Sequence, residues 1–247
     1  MDFKKKLRTN SYMRSAREKF FSINSITNSP YKSLINNIEK LDLKFVFDVG
    51  ANVGQFGLDL RRYGYSHQII SFEPVSETFA VLSETIKKHQ PWNAVKLGLG
   101  SSESEQNINI SANDGLSTSF LAMQNLHFSN FPNSKVIATE KVLISTLDRQ
   151  IKSMKVDPQT MLLKMDVQGY EYEVLKGASE SISKIPLCYL EVSLQPLYKG
   201  ERTLLPLLNM LSSSGHEVID VYRGIRAKNG DLLQLDILTR LSNIQKI

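Results

Sequence analysis

From residue 45 onward, short apolar runs alternate with segments whose apolar residues recur every three to four positions. That alternation predicts a parallel sheet buried on both faces by the helices that link its strands. Phe45–Val49 is the first expected strand, followed by a glycine-rich turn and a helix with Phe56, Leu60 and Tyr63 along one side. Strand Gln68–Phe72, a helix over 76–88 and a strand over 94–97 continue the rhythm. It resumes with strand Met161–Met165, a helix over 171–183, a strand over 186–192, and a helix whose Leu204, Leu207, Leu208 and Leu211 fall at i, i+3, i+4 and i+7. Gly215 is placed to stop that helix. Strands over 217–222 and 232–238 flank a turn with Gly224 and Gly230, a connection short enough to force an antiparallel hairpin. The expected fold is α/β, with seven main strands, mostly parallel, ending in a reversed hairpin.

Between the third and fourth main strands lie some 60 residues, too many for an unstructured loop. Residues 101–145 therefore read as an insertion that forms a substrate lid, with strands over 107–111 and 135–144 around a Ser/Thr-rich stretch that includes Ser117, Thr118 and Ser119. Ser145 and Asp148 have capping-box spacing for a helix running to about Val156. At 247 residues and 41% hydrophobic, the chain suits one domain with decorations: a basic helical extension over 1–40 and the main domain over 41–247.

Charge adds less than its total suggests. The net +5 sits in the first 20 residues, which hold Lys4, Lys5, Lys6, Arg8, Arg14, Arg17 and Lys19 against Asp2 and Glu18; the remainder is balanced. A broad nucleic-acid face is not expected. The basic head suits weak contact with an anionic membrane surface, a polyanionic substrate or plain solvation, and a solvated helix is the expectation. No apolar stretch is long enough to span a bilayer and no signal-peptide pattern opens the chain. One cysteine, Cys188, excludes an internal disulfide and a cysteine-rich zinc site, and the cytoplasm is the expected compartment.

Sheets of this kind bind ligands beyond the carboxyl ends of their strands. Asp48-Val49-Gly50-Ala51-Asn52-Val53-Gly54 offers small residues and backbone N–H groups there, and Asn52 tolerates positive φ. Glu73, 19 residues after Gly54, is placed to accept both hydroxyls of an adenosyl ribose, whether from NAD or from S-adenosylmethionine. A G-x-G-x-x-G fingerprint laid from Gly50 meets Asn52 and Gln55 at its second and third glycines, which disfavours the dinucleotide. The NAD or nucleotide alternative and a cofactor-free interaction module both stay open.

Strand four brings Lys164 and Asp166 to the same edge, and strand five brings Glu191. Such groups serve to hold a cationic methionine moiety, to take a proton from an acceptor, or, with Glu171, to bind Mg²⁺. The alternative is structural: Asp166 capping the next helix and Glu191 pairing with Lys164. His67, His89 and His216 read as solvated loop residues; His127, in the insertion, is a conceivable base but reads as a surface residue.

Phe47 to Gly54, then Phe72-Glu73-Pro74, then Lys164 to Glu171 leading to Val174-Leu175-Lys176-Gly177-Ala178 together resemble the FkbM family of methyltransferases. The resemblance covers about residues 44–240 and leaves the first 40 outside. It implies a class I, Rossmann-like methyltransferase fold with strand order 3-2-1-4-5-7-6, S-adenosylmethionine as donor, and O-methylation of a sugar, a glycan or a natural-product hydroxyl, as in polysaccharide biosynthesis. It further implies that the Gly50 to Gly54 turn holds the methionine end, Glu73 the ribose, Gly100 and Ser101 the adenine, and that Asp166 faces the reaction centre. Family motifs often carry glutamate where this chain has Gln168, so no catalytic role is assigned there.

Overall fold

The computed structural model describes residues 30–242. In chain order these form helix α1 (Pro30–Lys40), strand β1 (Phe45–Val49), α2 (Gln55–Arg62), β2 (Gln68–Phe72), α3 (Ser76–Ile86), β3 (Trp92–Val95), β4 (Gly98–Leu99), β5 (Ser104–Ser111), α4 (Asn125–Asn130), β6 (Val136–Ser145), α5 (Leu147–Met154), β7 (Met161–Met165), α6 (Glu171–Lys176), β8 (Leu187–Ser193), α7 (Leu204–Ser213), β9 (His216–Arg223) and β10 (Gln234–Leu241). The main sheet runs β3-β2-β1-β7-β8-β10-β9. Numbered by main strands this is 3-2-1-4-5-7-6, with only β10 antiparallel to its neighbours.

Strand alternation sorts the core into two layers. Phe47, Val49, Leu163, Met165 and Leu190 face Leu147, Val174, Leu207 and Leu211 of α5, α6 and α7. On the opposite face, Val46, Ile69, Leu162 and Leu187 meet Leu34 and Ile38 of α1, Phe56 and Leu60 of α2 and Leu82 of α3. Helix α1 is therefore part of the core, and the domain begins at or before residue 30 rather than at 41; Leu34 is fully buried. Its buried positions, Leu34, Ile35 and Ile38, have helical spacing and form its core-facing side. The expected solvated helix of the basic head falls on residues 1–29, outside the described residues.

The insertion is a second sheet. β5 and β6 pair as an antiparallel hairpin, and β4 joins β6 in parallel. The third main strand consequently ends at Val95, short of the expected 97, because the chain changes sheets at Gly98. A Cβ there would lie 2.9 Å from the Phe120 ring. Two further boundaries differ from the sequence pattern. Helix α6 stops at Lys176, not 183, since Gly177 packs so closely that a Cβ would sit 2.0 Å from the Gly100 carbonyl oxygen. The cap of α5 is Thr146, whose side chain accepts from Arg149 N, rather than Ser145. Asp148 instead accepts from the Glu180 and Ser181 backbone at 2.9 and 3.0 Å, holding down the segment after α6.

Candidate functional site

Register alone assembles the site. Val49 lies opposite Phe72 on one side and Met165 on the other, and Met165 lies opposite Leu190. The next residues of the three inner strands and of β2 are Gly50, Glu73, Asp166 and Glu191; the first three leave the sheet along one carboxyl edge, and Glu191 stands level with them while β8 continues to Ser193 beside β10.

The β1–α2 turn is pinned from both sides. Gly50 and Ala51 N donate to Phe72 O at 3.1 Å, and Asp166 N donates to Val49 O at 3.1 Å. Gly50 has φ +74°, and a Cβ would lie 2.0 Å from the Asp166 carbonyl oxygen, so no other residue fits without moving the strand-end loop that carries Asp166. Asn52 takes φ +50°, and its side chain accepts from Val53 N at 2.7 Å, fixing the local turn.

Asp48 and Lys164 sit beneath this turn. Both are buried, and Lys164 Nζ lies 2.9 Å from Asp48 Oδ1 and donates to Gly50 O at 3.0 Å. Ser71 donates to the other Asp48 oxygen and accepts from Trp92 Nε1. Burial by itself lowers the Lys164 ammonium, but Asp48, Asp166 and Glu191 outweigh it and hold the group above its ordinary value. These facts change two expectations. Asp48 is spent inside the protein and does not face a cofactor. A permanently charged, buried Lys164 is a brace for the turn and not a proton acceptor, and its partner at contact distance is Asp48, not Glu191.

Glu73 is buried, with Oε2 accepting from Asn52 N at 3.0 Å and Oε1 from Val75 N at 2.9 Å. Burial pushes its carboxyl up to about 7, against the lowering effect of those bonds and of Lys164. A carboxylate at this strand end, joined to the turn that a ligand must approach, is the expected anchor for vicinal hydroxyls.

Asp166 and Glu191 are half-buried and joined through Gln168. Gln168 Nε2 donates to Asp166 Oδ1 at 2.7 Å and to Glu191 Oε2 at 2.8 Å, and Gln234 Nε2 adds a bond to Glu191 at 3.1 Å. Asp166 does not cap α6; the cap position is Tyr170, with no side-chain bond. Glu171 turns back to accept from Val167 N at 2.9 Å and Gly169 N at 3.3 Å, and burial pushes it up to about 8. With Glu171 turned inward and an amide N–H on each of the other two carboxylates, the residues present do not fit a Mg²⁺ ion. Among the described residues no cluster of three or more His, Cys, Asp or Glu is arranged to hold a metal.

The insertion closes over this edge. Gly115, at the tip of the Ser/Thr-rich stretch, approaches the Asn52 side chain, and Ser119 Oγ donates to Gln168 O at 2.7 Å. Its hydroxyls are engaged internally: Asn113 donates to Ser117, and Ser111 Oγ donates to Asn113. Ser111 and Ser117 are therefore partnered within the insertion itself. His127 is buried, not a surface residue; Nδ1 lies 3.0 Å from Ser134 Oγ and Nε2 3.3 Å from the Tyr198 hydroxyl, and burial pushes it down to about 4. His216 is also buried, between Thr239 and Ile182 O, where a loop residue was expected. Gly100 packs against Ile144 and Tyr170, and its N donates to Ser145 O.

Sequence reasoning assigned no role to Gln168 and did not single out Tyr198. The signal for Gln168 was its place between two acidic strand ends. Nothing local marked Tyr198, whose role depends on the β8–α7 loop folding back under the insertion.

Residues 48–222 match the model of the methyltransferase FkbM domain. A protein named methyltransferase sdnD from Sordaria araneosa is 28% identical over 171 residues, 55% of this chain and 61% of that protein. The 2-O-methyltransferase NoeI of Sinorhizobium fredii is 25% identical over 189 residues, 74% of this chain and 76% of its own. The hexuronic acid methyltransferase AglP of Haloferax volcanii is 26% identical over 161 residues, 64% of this chain and 59% of its own. The matched stretch thus spans less than two thirds of sdnD and AglP.

Proposed function

The chain belongs to the FkbM methyltransferase domain family, and from that premise we propose that it transfers the methyl group of S-adenosylmethionine to a hydroxyl of a sugar, a glycan or a similar polyol. The observation that carries the proposal is the register that puts Glu73, the Gly50 to Gly54 turn, Asp166 and Glu191 on one edge under the insertion. The 2-O-methyltransferase and hexuronic acid methyltransferase relatives support an oxygen acceptor on a sugar.

The residues suit this donor. Glu73, once ionised, would accept from two ribose hydroxyls, and the backbone of the Gly50 to Gly54 turn beside it would meet the methionine end. Asp166 and Glu191 supply negative charge for a cationic donor. S-adenosylmethionine brings an electrophilic methyl on a sulfonium, and S-adenosylhomocysteine is the leaving group. The chain's own residues would do the rest: the turn and strand ends would orient donor and acceptor toward each other, an effect that supplies several kcal/mol. As the new C–O bond forms and the C–S bond breaks, the hydroxyl proton passes to a carboxylate, and Asp166 is the residue assigned as base, with Glu191 beside it.

The test is transfer of labelled methyl from S-adenosylmethionine into a panel of mono- and oligosaccharides, with Asp166→Asn alongside. Alkali-stable ether product, and a kcat lower by ~10²–10⁴-fold in Asp166→Asn at unchanged S-adenosylhomocysteine affinity, are expected. Ester or amine product, or an Asp166→Asn enzyme as fast as wild type, overturns the assignment.

A further inference from the structure

Two carboxylates sharing one site repel each other, and the usual outcome is that one of them keeps its proton and is lost as a base. Here the space between Asp166 and Glu191 is filled by a neutral amide. Which way round that amide stands is fixed chemically. Ionised carboxylate oxygens only accept, so with both groups ionised Nε2 faces them, at 2.7 and 2.8 Å. The carbonyl end, Oε1, then needs a donor, and the Tyr198 hydroxyl supplies it at 2.8 Å. Burial first, and then the charge of Glu191, hold the Tyr198 phenol well above its ordinary value, so it stays protonated and able to donate.

Tyr198 is itself fixed. It is fully buried, lies 3.3 Å from His127 Nε2 in the insertion, and is 3.4 Å from Ser117 O. Gln168 is held by its backbone as well, with φ +55° and its carbonyl accepting from Ser119. A non-glycine residue in that conformation is uncommon and persists where its surroundings over-determine it. Three segments therefore meet at one side-chain amide, the end of β7, strand β8 and the β8–α7 loop that carries Tyr198, while two parts of the insertion hold Tyr198 and the Gln168 backbone.

We infer that Gln168 is a positioning residue, a neutral clasp that keeps Asp166 and Glu191 both available as carboxylates, and that Tyr198, held by the insertion, sets the direction of its amide. The role of the carboxylates as base and charge partner rests on the proposed methyl transfer; the clasp itself does not. Other charged or titratable groups face the pair: Lys164 and Asp48 from beneath, Glu171 from α6, Glu201 and Tyr198 from the β8–α7 loop, His127 from the insertion, and Asp236, which lies opposite Glu191 in β10. Gln168 bonds both carboxylates.

The test is a carboxyl ¹³C NMR titration of the full chain labelled at Asp and Glu, with the two signals assigned by their loss in Asp166→Asn and Glu191→Gln. Gln168→Glu places a third carboxyl between the pair and is expected to move at least one midpoint up by about one pH unit or more. Tyr198→Phe removes the donor to Oε1 and is expected to move the midpoints in the same direction by less, while the Gln168 side-chain N–H₂ signals lose their protection from exchange. Far-UV circular dichroism and calorimetric binding of S-adenosylhomocysteine are recorded on each variant. Midpoints in folded Gln168→Glu and Tyr198→Phe that match wild type overturn the inference. A wild type that binds no S-adenosylhomocysteine counts instead against the proposed donor and leaves the titration to decide the clasp. Gln168→Leu keeps the inference falsifiable if Gln168→Glu does not fold: it too removes both bonds and is expected to raise the midpoints.

Discussion

Replacing Lys164 with methionine separates a brace from a catalyst. In the folded protein Lys164 is 6% exposed and Asp48 0%, and they form an ion pair of 2.9 Å. Removing the ammonium strands the Asp48 charge in the core, which for a buried pair costs about 3–5 kcal/mol, and it also frees the Gly50 carbonyl. Domains have a total stability of ~5–15 kcal/mol. At ~2–4 °C per kcal/mol for a chain of this size, Lys164→Met should melt roughly 6–20 °C below wild type. Adding Asp48→Asn removes the stranded charge while keeping a group that bonds Ser71, so the double variant should recover to within ~2 kcal/mol of wild type. The sign with pH follows from the raised ammonium: its contribution is complete below about 10.5 and is lost only as pH rises past the folded value, so neutral buffers suffice. Thermal melts by circular dichroism, paired with S-adenosylhomocysteine titrations, read both effects. A Lys164→Met protein that melts within ~2 °C of wild type refutes the reasoning. So does a double variant as unstable as the single.

Three other perturbations follow from the same geometry. Because burial raises Glu73 to about 7, the folded protein holds a proton there that the unfolded chain has released, so wild-type stability falls between pH about 4.5 and 7, by on the order of 3 kcal/mol, and Glu73→Gln lacks that slope in denaturant melts. The same group must be ionised to accept ribose hydroxyls, so S-adenosylhomocysteine affinity should strengthen as pH rises through about 7 in wild type and stay flat in Glu73→Gln, read by calorimetry. Gly50→Ala adds ~1–2 kcal/mol of backbone strain and forces Asp166 to retreat, so binding should weaken more than tenfold, checked by the same titration. Glu171→Ala leaves the Val167 and Gly169 N–H groups without their acceptor and should cost ~1–3 kcal/mol in urea melts, whereas Glu171→Gln, which keeps an acceptor, should cost less.

The sheet was legible because each inner strand is a contiguous apolar run ended by a turn signal, and the glycine turn, Glu73 and Asp166 were legible because strand ends in such sheets face a common edge. Side-chain direction was not. Asp48 and Glu73 are both acidic residues near strand ends, yet Asp48, inside β1, points into the helix-covered face, while Glu73, one residue beyond β2, is turned onto the ligand-facing loop. The insertion was recognised by its length, but its sheet depends on β4 leaving the main sheet at Gly98, which no local pattern announces. His127 read as exposed because it lies in the insertion; it is buried against Phe131 and against Tyr198, 71 residues away. Gln168 drew no role because family motifs often carry a carboxylate there; its bonds to Asp166 and Glu191 come into view only once the strands are aligned.

The most direct measurement of the central claim is calorimetric titration of the purified chain with S-adenosylhomocysteine at about pH 8, where Glu73 is ionised, run beside Glu73→Ala. One site per chain in wild type is expected, with at least tenfold weaker binding in a Glu73→Ala protein that remains folded. A wild-type chain that takes up no S-adenosylhomocysteine, or a Glu73→Ala chain that binds it equally well, contradicts the assignment of this edge as the methyl-donor site.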